Sequence, residues 1–213
     1  QIKYAMSCGH NFNDVSNYFH CDNRYTCGHS TCESSQWAWD NPHSSRFHSM
    51  LLYLFREFKG ETSPIDEHKY RAMFRLSGYV ATQFKPSVAK TVYETEGARK
   101  VIDISCGWGD RLAGFYCSNN TTDYLGCDPN TASYELYKQQ CIAYEALLES
   151  PLFPKEVHFE DHGDWFECIG EKTVRIYNRP AEDMDWDSIC ETEYDLMFTS
   201  PPYFGIEKYA EGS

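Results

Sequence analysis

The stretch Lys100-Val101-Ile102-Asp103-Ile104-Ser105-Cys106-Gly107-Trp108-Gly109-Asp110-Arg111-Leu112 constrains the fold more than any other part of the chain. A short apolar run breaks into a turn holding two glycines and then into a helical pattern, so it reads as strand, turn and helix. Gly107 and Gly109 permit positive φ and the close approach of a ligand to the backbone, and the following helix presents N–H groups at its start. Some 25 residues after Asp103 a second strand, Asp123-Tyr124-Leu125-Gly126-Cys127, ends in Asp128. This spacing supports a βαβ unit, in which an acid at the end of the second strand accepts hydrogen bonds from ribose hydroxyls.

The charge pattern narrows the ligand. A dinucleotide fingerprint needs a third glycine where this chain has Leu112, and Asp110 sits where a pyrophosphate would feel its negative charge. S-adenosylmethionine carries no phosphate. It offers an adenosine to Asp128, a carboxylate to the helix start and a sulfonium that tolerates nearby acids. Further along, the hydrophobic strand Tyr194-Asp195-Leu196-Met197-Phe198 runs into Thr199-Ser200-Pro201-Pro202-Tyr203-Phe204. Two adjacent prolines fix two φ angles and remove two donors, so the carbonyls around them point in preset directions and Tyr203 is held in one position. Such a turn suits a planar base bearing an amino group; an ordinary Pro-Pro loop closing a strand is the bland alternative.

With both segments in view, the stretch from Phe84 to Tyr209, roughly 125 of 213 residues, resembles a class I S-adenosylmethionine-dependent amino-methyltransferase of the DNA N4-cytosine and N6-adenine type. Phe84-Lys85-Pro86-Ser87 resembles the Phe-x-Pro cofactor motif that precedes the first strand. Asp103, Ser105, Gly107 and Gly109 resemble its glycine turn, and Asp128-Pro129-Asn130 its acidic strand end. Arg179-Pro180-Ala181-Glu182-Asp183 is similar to the third cofactor segment, whose acid, here Asp183, faces the adenine amino group. Ser200-Pro201-Pro202-Tyr203 is similar to the catalytic tetrapeptide. The glycine turn departs from the family pattern: it reads Ser-Cys-Gly-Trp-Gly-Asp-Arg rather than Phe-x-Gly-x-Gly. The resemblance implies a Rossmann-like α/β three-layer sandwich, S-adenosyl-L-methionine as cofactor and DNA, with its target base flipped out, as substrate.

The chemistry asked of that loop is physical. An exocyclic amine is a poor nucleophile because its lone pair is delocalised into the ring. Hydrogen bonds from its N–H groups to Ser200 and the Pro201 carbonyl would localise that lone pair toward the methyl sulfonium. Stacking on Tyr203 holds the base flat and is worth ~1–3 kcal/mol. Transfer is then direct and in line, governed by orientation. Methylation at cytosine C5 would need a nucleophilic Cys in a Pro-Cys dipeptide, which the chain lacks. In the family Ser at the first motif position is more frequent in N4-cytosine enzymes, so Ser200 tilts the choice that way. RNA or protein amine methylation shares the Pro-Pro-Tyr geometry, and a non-catalytic cofactor-binding subunit keeps the fold without the activity; both stay open.

Length and charge bound the rest. A chain of 213 residues with 41% hydrophobic content suffices for one sizeable domain or one domain with an N-terminal extension. We expect loops and helices over residues 1–80 and the cofactor-binding domain over 81–213. No apolar run reaches the ~18 residues of a membrane span, and no signal-peptide core is present. The net charge of −13 sits badly with a polyanionic partner. The family's seven-stranded sheet also needs about three further strands after the catalytic loop. Both points lead to the expectation of an incomplete sheet, completed by a partner chain or by sequence beyond this one. The reading implies a reducing intracellular compartment, cytoplasmic or, in a eukaryote, nuclear.

Residues 1 to about 45 lack periodicity and read as loop. Phe47, Met50, Leu51, Leu54, Phe55 and Phe58 predict a helix over Ser45 to Lys59, and Glu67 to Tyr79 a second. Ser87 caps a third, to Glu94. Thr131 to Leu148 reads as a helix covering one sheet face through Tyr134, Tyr137, Cys141 and Tyr144 to Leu148. Val157 to Phe159 and Val174 to Tyr177 read as strands around a turn region from Gly163 to Gly170, and Met184 to Cys190 as a short helix. Cys8-Gly9-His10 and Cys27-Gly28-His29, with His20, Cys21 and Cys32 nearby, offer zinc ligands, but Cys27 to Cys32 is C-x4-C rather than C-x2-C, and free thiols with polar histidines are the reading preferred. His158 and His162 flank acids and read as solvated.

Overall fold

Val101, Tyr124, Val174 and Ile176 are exposed by 2% or less, while the residues between them on their strands are mostly polar or only half-buried. One face of the sheet is therefore apolar and must be covered. The computed structural model describes residues 12–29, 31–57, 60, 69, 81–148, 155–190, 193–201 and 207–208. In chain order the elements are α1 (Asp14–Thr26), β1 (Gly28–His29), α2 (Ser35–Asp40), α3 (Ser45–Glu57), α4 (Pro86–Glu96), β2 (Lys100–Asp103), α5 (Asp110–Cys117), β3 (Asp123–Cys127) and α6 (Thr131–Leu148). They continue as β4 (His158–Asp161), β5 (Trp165–Ile169), β6 (Thr173–Tyr177), a 3-10 turn (Ala181–Asp183), α7 (Trp186–Ile189), β7 (Leu196–Met197) and β8 (Glu207–Lys208).

The chain divides into two compact units, one of Gln1–Cys21 with Gln83–Pro201, the other of Asp22–Thr82 with Pro202–Ser213. The first is an α/β unit around a mixed six-stranded sheet of order β4-β5-β6-β3-β2-β7. The strands β6, β3, β2 and β7 run parallel; β4 and β5 pair antiparallel beyond β6. After β2 and β3 the chain crosses to the far edge as β4, steps back through β5 to β6 beside β3, and then passes to the other side of β2 as β7. That reversal makes the C-terminal ends of β2 and β7 the topological switch point, where open α/β sheets bind ligands. Buried residues of α4, α5 and α6, among them Ala89, Tyr93, Leu112, Phe115, Tyr137 and Cys141, share one core with the sheet. Gly114 lets α5 approach α4 closely, since a Cβ there would lie 2.5 Å from that of Ala89.

In the second unit β1 pairs antiparallel with β8. Ser34 caps α2 by accepting from the Trp37 amide at 3.0 Å, and Met50 of α3 packs on Ala38.

Several elements differ from the sequence reading. Residues 1 to 45 are not all loop, because α1 and α2 lie within them. The helix expected from Ser87 begins at Pro86 with Lys85 as its extended N-cap, and no side chain caps it; proline's fixed φ suits the first helical position. The region from Gly163 to Gly170 contains a strand, β5, whose Phe166 and Cys168 are fully buried. Phe55 and Leu147, expected to face inward, are 70% and 81% exposed. The helix expected over Glu67 to Tyr79 lies outside the described residues apart from Lys69. Among the described residues β7 ends the sheet, and its Met197 is 60% exposed.

Candidate functional site

The switch point brings the two sequence signals together. The glycine turn leaves β2, the Thr199-Ser200-Pro201 segment leaves β7, and the Ser105 and Thr199 hydroxyls bond each other at 2.7 Å across the gap. Ser200 and Pro201 are exposed; Pro202 and Tyr203 lie outside the described residues. Phe198 donates its amide to the Ile102 carbonyl at 2.9 Å, so the ladder continues to the edge of the site. Phe84, just ahead of α4, meets Phe198 edge to face at 5.7 Å, and Lys85 and Pro86 follow it into the helix.

Asp103 is fully buried. Its Oδ2 accepts from Arg111 Nε at 2.7 Å and from the Tyr124 hydroxyl at 2.7 Å, and its Oδ1 from the Ser105 amide and Arg111 Nη2 at 3.2 Å each. A carboxylate offers about four acceptor positions, so all of them are engaged. Asp103, expected as a cofactor contact, here fastens Arg111 and the start of the turn. Arg111 also donates to the Ser105 carbonyl and lies 5.6 Å over the Phe84 ring. The neighbouring carboxylate holds this guanidinium ionised well above its usual range despite burial.

Gly107 and Gly109 have φ of +62° and +68°, as a left-handed turn requires. Their surroundings differ. A Cβ on Gly107 would find nothing nearer than the Ser105 carbonyl oxygen at 3.8 Å, whereas one on Gly109 would lie 2.2 Å from Gln140 Oε1 and 2.7 Å from His20 Nε2. Only Gly107 leaves room beside the backbone; the space at Gly109, expected to admit a ligand, is filled by two side chains. Gly107's carbonyl accepts from the Tyr137 hydroxyl, and Gly109's accepts from Gln140 Nε2 at 2.9 Å. Burial pushes the Tyr137, Tyr124 and Tyr93 phenols well up, so all three remain donors at neutral pH.

Asp128 ends β3 with 8% exposure, its Oδ2 accepting from the Gly107 amide at 2.7 Å and its Oδ1 from Asn130 at 2.9 Å. Two acceptor positions remain on it. Burial raises its carboxyl to about 6, against those two stabilising amide bonds. Beside it, the Cys127 thiol is pushed up to about 12 by burial and then by the charges of Asp128, Asp103 and Glu182. Asp183 is exposed in its 3-10 turn, as is Glu182.

Sequence reasoning missed Arg111, Tyr137, Gln140, Ser16, His20 and Gln83. Asp110 is 2% exposed and accepts from Ser16 Oγ and, at 2.7 Å, from Gln83 Nε2. The spacing of Tyr137, Gln140 and Tyr144 as a polar-tipped helical stripe was the one available signal.

Among the described residues no three His, Cys, Asp or Glu side chains are grouped to hold a metal. His20, offered as a zinc ligand by its position, instead bonds Gln140. His158 is exposed beside Glu160 at 2.7 Å, and His162 stacks on Trp165 at 3.9 Å. Among the described residues no helix is long and apolar enough to cross a membrane. No family model matches the chain, and no curated protein matches it.

Proposed function

We propose that the chain is an S-adenosylmethionine-dependent methyltransferase of the class I, three-layer fold, acting on the exocyclic amine of a base in DNA, with N4 of cytosine ahead of N6 of adenine. The observation that carries this reading is the Ser105–Thr199 hydrogen bond at the switch point, which joins the glycine turn to the residue that leads into the Ser-Pro-Pro-Tyr sequence. Either segment alone is common.

The residues fit the cofactor. Gly107 leaves open space beside its backbone, and Asp128 keeps two acceptor positions suited to a ribose diol. Acidic groups dominate, which suits a sulfonium and disfavours a pyrophosphate. When bound, S-adenosylmethionine supplies an electrophilic methyl group.

The chain's own residues would orient the acceptor. Ser200 and the Pro201 carbonyl accept hydrogen bonds from the amine N–H groups, drawing its lone pair out of the ring system toward the donor. Tyr203 stacks the base. Phe84, Lys85 and Pro86 line the cofactor side, and Asp183 faces the adenine. The product ammonium sheds its proton readily to water, so the solvated His158 and His162 have no required role.

The net charge of −13, with Lys138, Lys155, Arg175 and Arg179 each already in ion pairs, favours a second reading in which a partner chain or a further segment carries the DNA-binding surface and this chain is a cofactor-binding subunit. Calorimetric titration with S-adenosylmethionine tests the common part: micromolar binding is expected, and no binding overturns both. Transfer of tritiated methyl to unmethylated duplex, single-stranded DNA and RNA then separates catalyst from subunit.

A further inference from the structure

Residues 1 to 45 show little periodicity in the sequence, yet the first turns of α1 reach the glycine turn through two buried polar contacts. His20 is 1% exposed, and its Nε2 lies 3.0 Å from Gln140 Oε1. The Gln140 amide donates through Nε2 to the Gly109 carbonyl at 2.9 Å and to the Tyr144 hydroxyl at 3.1 Å. Its Oε1 is therefore the acceptor, and His20 Nε2 must be the protonated nitrogen. A relay results in which His20 fixes which way the Gln140 amide points, and the amide fixes the Gly109 carbonyl. Were the amide to flip, its oxygen would face the Gly109 oxygen.

The second contact falls on the next residue. Ser16 and Gln83 both donate to the Asp110 carboxylate, and Gln83 also reaches the Asn13 carbonyl at 3.2 Å. Gly109 is the N-cap of α5 and Asp110 its first residue, and no side chain caps that helix. The Tyr144 hydroxyl donates back to the Val15 carbonyl at 2.7 Å, and His20 packs on Tyr137 at 5.2 Å, so the same turns of α1 are seated on α6 by independent bonds.

Packing alone would need none of these groups, because apolar side chains would fill the space without the cost of desolvating an imidazole, an amide and a carboxylate. A buried polar network of this kind selects one geometry instead. We infer that the Ser16 to His20 segment of α1 is a positioning element for the glycine turn, acting through Gln140 on Gly109 and directly on Asp110, and that it sets the affinity of this turn for its ligand. His20 is a positioning residue, with no contact to the reacting atoms. The inference deepens the proposed function and rests on it only for the identity of the ligand.

The test compares His20→Leu, which keeps an apolar body against Tyr137 but cannot donate, with His20→Gln, which restores an N–H donor. Hydrogen exchange of the Gly107 to Leu112 amides is followed in the ligand-free protein, alongside its melting temperature and its Kd for S-adenosylmethionine. We expect His20→Leu to speed exchange in the turn and weaken binding roughly tenfold, the scale of one buried hydrogen bond, and His20→Gln to recover most of both. Wild-type exchange and affinity in His20→Leu would overturn the inference. So would a loss in both variants that follows the melting temperature alone, since that is the signature of general destabilisation. If the wild-type protein binds no S-adenosylmethionine, the proposed function fails, while the exchange comparison still decides whether α1 holds the turn.

Discussion

The two strand ends at the switch point are built in different ways. The turn after β2 is held by Asp103, Arg111, Asp128, Tyr137 and Gln140, drawn from β2, α5, the end of β3 and α6, and nearly all of its bonds are buried. Among the described residues, the segment after β7 bonds its neighbour through Thr199 to Ser105 and leaves Ser200 and Pro201 exposed. The difference is what a donor site and an acceptor site would need. A cofactor pocket gains from being rigid before binding, whereas a loop that receives an extruded base must be open to solvent until the base arrives.

The largest effect expected on this contrast comes from Arg111→Met. It leaves Asp103 charged and buried without its partner, a change worth ~3–5 kcal/mol, read as a fall in urea midpoint. Ser200→Ala, on the exposed side, should leave that midpoint unchanged within ~0.5 kcal/mol. If the two variants melt alike, the contrast fails.

Gly109→Ala should destabilise by ~2–4 kcal/mol, combining a positive φ with overpacking against Gln140 and His20. Gly107→Ala, with the same sign of φ and open space, should cost only the ~1–2 kcal/mol of backbone strain while weakening cofactor binding. Chemical denaturation together with calorimetry separates the two, and equal stability losses would show that the two sites are not packed differently.

Asp128 adds a pH signature. Its folded carboxyl titrates near 6, above the 3.8 of an unperturbed one, so the folded state holds the proton more tightly. Its contribution to stability therefore falls as pH rises from about 3.8 to about 6, by up to about 3 kcal/mol. Ligand acceptance runs the other way, because only the ionised form offers its free lone pairs to two hydroxyls, so cofactor affinity should decline below about pH 6. Asp128→Asn should flatten both trends. An unchanged pH profile of unfolding would mean that Asp128 is less buried than described.

Thr199→Val carries a small stability change, ~1 kcal/mol for one hydrogen bond. Methyl transfer, if the proposal holds, should fall more steeply than stability does, because this bond sets the spacing of the two halves. Parallel losses would reduce it to a structural tie.

How much of this was legible in the sequence follows from the range of each interaction. The strand-turn-helix-strand from Lys100 to Cys127 was readable because periodicity and glycine punctuation are local, and α6 matched Thr131 to Leu148 for the same reason. Strand β5 was hidden because Trp165 to Ile169 is apolar at four of five positions, so its alternation appears only in burial, and Gly163 and Gly170 mark turns at its ends. The clamp on the glycine turn was invisible, since Ser16 and His20 meet partners 94 and 120 residues away.

The sequence by itself determined the βαβ core and the positive φ of both glycines, consequences of steric rules within a few residues. Only the tertiary structure decided that Asp103 serves Arg111, that Gly109 is closed by Gln140 and His20 while Gly107 stays open, and that α1 belongs to the site. Those outcomes depend on which buried donors find which acceptors across the fold, and a buried polar group takes whatever partner the packing of distant elements brings within reach.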